Sequence, residues 1–171
     1  WGPTFAIQGA AQRLATIVEE MSGGRFRIQV FPGGQIMQPF ACFDATAQGT
    51  IEAFMACSYY WTAQEPAAEW FTTIPFGMNA EGMSAWYTDG DGLKLWEEAY
   101  APFNLVPRPG PGIAPQMAGW FRKKINTIAD YKGLKMRIPN LGGRVIARAG
   151  GASSPSHQTV RSCFNATLVK I

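Results

Sequence analysis

The sequence predicts an α/β fold, a sheet covered by helices, and three observations carry that reading. Apolar residues recur at helical spacing from Phe5 to Met21. The run Phe26-Arg27-Ile28-Gln29-Val30 then alternates strictly between apolar and polar, as a half-buried strand does. Helix and strand patterns then follow one another twice, which is the order of a sheet with helical crossovers.

In the first helix the stripe is Ile7, Ala10, Ala11, Leu14, Ile17, Val18 and Met21, expected to be buried together. Gln8, Gln12, Arg13, Glu19 and Glu20 are expected to turn elsewhere. Ser22-Gly23-Gly24 ends the helix, because glycine tolerates the left-handed conformation of a C-terminal cap. The strand Phe26–Val30 is closed by Pro32-Gly33-Gly34. A short helix through Phe40, Phe43, Ala45 and Ala47 follows, stopped near Gly49. Ile51–Cys57 reads as a second strand, with Tyr59-Tyr60-Trp61 just past its end.

Pro75 to Tyr100 is mainly helical, with Met83, Trp86, Leu93 and Trp96 as buried positions. Asp89-Gly90-Asp91-Gly92 interrupts this stretch as a turn. It lacks the Asp spacing and terminal Glu of a calcium loop. Leu105–Pro115, rich in Pro and Gly, reads as an extended crossover between domains. A strand over Met117–Phe121, a short helix within Ile125–Tyr131, a strand over Leu134–Ile138 and a helix over Leu141–Ala149 complete the pattern. Side chains alternate along a strand, so Lys135 and Arg137 share a face. Arg137 lies one residue from the strand's carboxyl end, the side on which open α/β sheets bind ligands.

Composition narrows the function classes. Of 171 residues, 47% are hydrophobic and 16% charged, a globular balance. Aromatics reach 13% with six Trp, more than a core of this size needs, so some are expected to line a ligand cleft. The net charge of +3 is mild, and Arg122-Lys123-Lys124 is its one compact basic run. A nucleic-acid surface needs a denser basic stripe interleaved with stacking residues, so this run reads as a solvated face. The three cysteines, Cys42, Cys57 and Cys163, form no CxxC pair, and His157 is the sole histidine. That excludes a zinc site of ordinary ligand spacing, and Cys42 and Cys57 read as small buried thiols. No stretch approaches the ~20 apolar residues of a membrane span. The first residue is Trp1 and no charged n-region precedes an apolar run, so a signal peptide is expected to lie outside this chain.

An ordered series of motifs resembles the solute-binding proteins of tripartite ATP-independent periplasmic (TRAP) transporters along most of residues 1–150. It begins with Arg13-Leu14-Ala15, Glu20-Met21-Ser22-Gly23-Gly24-Arg25 and Val30-Phe31-Pro32-Gly33-Gly34. Tyr59-Tyr60-Trp61, Ile74-Pro75-Phe76-Gly77-Met78, Leu95-Trp96-Glu97-Glu98 and Tyr100-Ala101-Pro102-Phe103 continue it. Its most specific parts are Gly119-Trp120-Phe121-Arg122-Lys123-Lys124-Ile125 and Tyr131-Lys132-Gly133-Leu134-Lys135-Met136-Arg137-Ile138-Pro139. The likeness is greatest to the branch that binds 2-oxoacids and other monocarboxylates.

The resemblance implies a periplasmic-binding-protein-like fold of two α/β lobes, here a first lobe and an incomplete second one. Residues 1–114 would form the first lobe, 115–150 the start of the second, and 151–171 a tail that departs from the family. It implies that Arg137 forms a paired salt bridge with the ligand carboxylate, a role that suits the guanidinium fork and not lysine. It also places Gln116 and Tyr60 or Tyr59 against the ligand, and Asn140 is added from its position in the turn after Arg137. No catalytic residue and no cofactor is implied. A cation bound with the carboxylate would have Gln116 as its candidate neighbour. The implied partners are a small organic acid and membrane permease subunits, in the periplasm, with homodimerisation of a full-length form left open. From Ala152 onward, Ser-Ser-Pro-Ser-His-Gln-Thr-Val-Arg-Ser-Cys no longer follows the family, so His157, Cys163 and the Asn165-Ala166-Thr167 sequon receive no role. An incomplete second lobe would leave apolar surface uncovered and lower stability.

Two other function classes compete. A Cys/His hydrolase-like enzyme would pair Cys57 or Cys163 with His157, but no third orienting group accompanies them in sequence. A carboxylate-binding sensor domain, uncoupled from transport, would share the Arg137 chemistry.

Overall fold

The computed structural model describes residues 6–112, 119, 121–138, 140–154 and 167–170. Helix α1 spans Ala6–Met21, followed by strand β1 (Gln29–Phe31), helix α2 (Cys42–Ala47) and strand β2 (Ala53–Met55). Two 3-10 helices, Ser58–Trp61 and Pro66–Phe71, lead to α3 (Ala80–Thr88) and α4 (Gly92–Tyr100). A 3-10 helix at Ile128–Tyr131, strand β3 (Lys135–Arg137), helix α5 (Asn140–Arg148), strand β4 (Ala152–Ser154) and strand β5 (Thr167–Lys170) close the order. The expected strand over Met117–Phe121 falls mostly outside the described residues.

The strands form two sheets among the described residues. In the first, β5 lies between β1 and β2 and runs antiparallel to both, pairing Val30 and Ala53 with Val169. β1 and β2 therefore run parallel to each other, as a helical crossover through α2 requires. In the second sheet, β3 and β4 pair in parallel through Met136 and Ser153, with α5 as their crossover. Both strands of the first half are shorter than their sequence patterns, and Phe26 is exposed ahead of β1.

The core gathers Cys42, Phe43, Ile51, Trp61, Ala68, Tyr100 and Leu105. Phe43 is its centre: its ring stacks on Trp61 at 5.5 Å and meets Tyr100 and Phe103 edge-on at 5.7 and 5.2 Å. Cys42 is fully buried, and burial pushes its thiol up to about 12. Trp86 and Trp96, expected inside, are half-buried and sandwich Phe71, with ring centroids 6.0 and 5.5 Å from it.

The α1 stripe is a correction. Ile7 and Ala11 are buried, but Leu14, Ile17 and Met21 are exposed, while Gln8, expected to face away, is only 1% exposed. Length explains this. A 16-residue helix runs about 24 Å, whereas three-residue strands offer about 10 Å of sheet, too little to cover the whole stripe.

Around β3, glycines bring α5 close to its sheet. A Cβ at Gly142 would stand 2.6 Å from Ile138 Cδ1, and one at Gly143 2.8 Å from Ser153 Oγ and 3.1 Å from the Ile138 carbonyl oxygen. Only a bare Cα allows that approach, and it fixes the strand that carries Arg137.

Candidate carboxylate site

The 3-10 helix Ser58–Trp61 is clamped from two sides. The Ser58 hydroxyl, 4% exposed, lies 2.7 Å from the Ala68 carbonyl oxygen and 3.2 Å from that of Phe71. Pro66 and the Glu65 side chain, which accepts from the Ala67 N–H at 2.8 Å, start the neighbouring 3-10 helix. Trp61 Nε1 donates to the Phe40 carbonyl at 3.1 Å, holding its indole in the core. With Ser58 and Trp61 committed inward, Tyr59 and Tyr60 are left on the remaining side, half-buried.

Tyr60 is where the two halves of the chain meet. Arg137, half-buried at the carboxyl end of β3, donates from Nη2 to the Tyr60 hydroxyl oxygen at 3.3 Å. The Tyr60 ring packs against Phe40 at 5.3 Å and against Tyr59 at 4.6 Å. Lys135 shares Arg137's strand face but is exposed.

The Tyr59 hydroxyl and the Cys57 thiol are near enough to Tyr60 for these groups to influence one another's protonation. Burial pushes the Tyr59, Tyr60 and Cys57 groups above their ordinary values, while Arg137 opposes that shift at Tyr60 and Cys57. All three therefore keep their protons at neutral pH. The chemistry is that of a cation edged by neutral donors, which suits an anion and does not suit a nucleophile.

The sequence singled out Arg137, Tyr60 and Tyr59, and the fold brings these three together. Asn140 opens α5 just beyond β3, and its side chain lies outside what the structure describes. Gln116, together with Trp120, His157, Cys163 and Asn165, lies outside the described residues. The sequence does not mark Phe40 or Thr72 as neighbours of the site. Phe40 is an unexceptional apolar residue in sequence, and nothing local distinguishes Thr72. Cys57 reads in sequence as a small buried thiol and as the nucleophile of the hydrolase alternative; burial raises the pKa of its thiol here.

A hollow of about 200 Å³ lined by Leu141, Arg144, Val145 and Arg148 lies on the outer face of α5 and includes neither Arg137 nor Tyr60. Among the described residues, no group of three His, Cys, Asp or Glu side chains could hold a metal ion. No described helix is long and apolar enough to cross a membrane.

A curated monocarboxylate 2-oxoacid-binding periplasmic protein of Nostoc is 40% identical over 150 residues, covering 88% of this chain and 41% of the relative. A TRAP periplasmic solute-binding protein of Pseudoalteromonas atlantica, solved with sodium and pyruvate, is 38% identical with a TM-score of 0.78, covering 92% of this chain and 49% of that one. Its counterpart from Colwellia psychrerythraea, solved with calcium and pyruvate, is 37% identical with a TM-score of 0.81, covering 91% and 48%. The chain thus spans less than half the length of these relatives, whose two-lobe fold it shares in part. Residues 1–157 match the family described as bacterial extracellular solute-binding protein, family 7 (DctP), and the chain belongs to that family.

Proposed function

We propose that this chain is the carboxylate-anchoring portion of a TRAP transporter solute-binding protein, taking a pyruvate-like 2-oxoacid in the periplasm for delivery to membrane permease subunits. The observation that carries the reading is the contact of Arg137 Nη2 with the Tyr60 hydroxyl at 3.3 Å. It sets a guanidinium fork and a neutral hydroxyl donor side by side. A carboxylate oxygen seated on the fork then lies within reach of both. The bound pyruvate of the two solved relatives supports the ligand class.

In this reading residues 1–114 form the first lobe, with β5 of the tail lying in its sheet, and residues 115–150 open the second, so Tyr60 and Arg137 face each other across the cleft. The protein acts by binding, without turnover. The sodium and calcium of the relatives make a cation beside the ligand a natural companion, and Gln116 is its candidate neighbour in this chain. The acidic residues needed to hold such an ion are not grouped among the described residues.

Calorimetric titration with pyruvate tests the reading. Arg137→Ala should weaken binding by about 100-fold, since it removes a charged, two-point contact. Arg137→Lys should lose about tenfold, keeping the charge but not the fork. Unchanged affinity in Arg137→Ala would refute the assignment.

A further inference from the structure

Tyr60 and Glu69 belong to one packed unit. Their 3-10 helices, Ser58–Trp61 and Pro66–Phe71, are tied by the Ser58 hydroxyl, which reaches the carbonyl oxygens of Ala68 at 2.7 Å and Phe71 at 3.2 Å. Arg137 and Arg144 belong to a second unit, in which α5 crosses between β3 and β4. There the bare Cα atoms of Gly142 and Gly143 let the helix come close, since a Cβ on them would stand 2.6 Å from Ile138 Cδ1 and 2.8 Å from Ser153 Oγ. Two side-chain contacts cross from the second unit to the first. Arg137 Nη2 meets the Tyr60 hydroxyl at 3.3 Å, and Arg144 Nη2 meets Glu69 Oε1 at 2.8 Å and Oε2 at 2.6 Å.

We propose that the Arg144–Glu69 ion pair is a latch on the carboxylate site: it holds the unit carrying Arg137 against the unit carrying Tyr60 and so sets how long a bound anion is kept. The two crossing contacts differ in what a ligand does to them. A carboxylate seated between Arg137 and Tyr60 engages both groups and replaces their contact with each other. The Arg144–Glu69 pair gives up nothing to the ligand. Alone, an ion pair with one wet partner holds two units together only weakly, so encounter takes place while they are apart and the pair is unformed. Once an anion bridges Arg137 and Tyr60, the two ties act on the same units and reinforce each other, as linked contacts do. Release then requires the units to part, which takes the mostly buried Glu69 carboxylate from its counter-charge. Arg144 serves both carboxylate oxygens from a single nitrogen, so the latch needs a cation there and not a fork. Arg144 and Glu69 are thus positioning residues that touch no ligand.

This inference rests on the proposed carboxylate function, and stopped-flow kinetics with pyruvate separates the two. Arg144→Ala and Glu69→Gln should each release pyruvate about fivefold faster, as expected for a partly exposed ion pair, with association within about twofold of the wild-type rate. The double variant should release no faster than either single one. Arg144→Lys should stay within about twofold of the wild-type release rate, because one ammonium replaces one nitrogen, whereas Arg137→Lys loses its fork. A merely structural role would lower the fraction of binding-competent protein and leave the release rate of what does bind unchanged. If the wild-type chain binds pyruvate and Arg144→Ala releases it at the wild-type rate, or the effects of Arg144→Ala and Glu69→Gln add, the latch is overturned while the carboxylate reading stands. If the wild-type chain takes up no pyruvate, both fall.

Discussion

Arg144 of α5 grips Glu69 of the 3-10 helix Pro66–Phe71 with one nitrogen, Nη2, at 2.8 Å from Oε1 and 2.6 Å from Oε2. The Glu69 side chain is 15% exposed and that of Arg144 63%, so the pair is anchored on the glutamate side and wet on the other. It runs alongside the Arg137–Tyr60 contact, and together they join the β3–α5 unit to the first half of the chain.

Removing this pair should loosen that junction. Arg144→Ala is expected to cost about 1 kcal/mol, at the upper end for a partly exposed ion pair, because it leaves a mostly buried carboxylate without its partner. The midpoint of urea unfolding measures it, and the loss should shrink in 1 M salt through screening. A cycle with Glu69→Gln that shows no coupling would remove the pair from the account.

Phe43 should dominate stability. It is 1% exposed and its ring meets those of Trp61, Phe54, Tyr100 and Phe103. Phe43→Ala is expected to cost about 3–5 kcal/mol, which approaches the whole stability of a domain this size. Loss of the cooperative thermal transition is the expected reading; a shift of only a few degrees would contradict it.

Phe76 occupies a glycine's conformation. Its φ is 62°, in a turn closed by the Gly77 N–H donating to the Ile74 carbonyl at 2.9 Å, and the side chain is fully exposed. That position follows Pro75 in the turn, where a left-handed residue is needed and glycine supplies it without strain. Phe76→Gly should therefore stabilise by about 0.5–1 kcal/mol, seen as a higher denaturation midpoint. A lower midpoint would mean that the exposed ring contributes through a contact of its own.

Asp130 gives the 3-10 helix Ile128–Tyr131 a pH dependence. Its Oδ2 accepts from the Asn126 N–H at 3.0 Å, the Thr127 N–H at 2.9 Å and the Thr127 hydroxyl at 3.1 Å. These bonds favour the ionised form and hold the carboxyl below the ordinary aspartate range. The capping is thus complete above the carboxyl's unfolded-state value and is lost as pH falls through its lowered folded value. The Asn126 and Thr127 amide chemical shifts should titrate together in that acid window in the wild type and stay flat in Asp130→Asn.

Local pattern made the helices α1, α4 and α5 legible, because periodicity and the flanking Gly and Pro residues are short-range signals. The sequence by itself also put Arg137 at the end of a strand and Tyr59-Tyr60 just past another, since strand ends are marked by the residues around them. Which surfaces those elements would cover was decided only in three dimensions. The α1 stripe looks buried over its full length in sequence, yet in the fold only its N-terminal part, at Ile7 and Ala11, is buried. Thr167–Lys170, four residues with no turn signature of their own, become the central strand between β1 and β2. The contacts Arg137–Tyr60 and Arg144–Glu69 span 77 and 75 residues. Hydrogen bonds at such separations follow from how sheets and crossovers pack, which no window of neighbouring residues encodes. The sequence determined which side chains carry chemistry suited to an anion; the tertiary structure decided that a tyrosine and an arginine from opposite halves of the chain stand 3.3 Å apart.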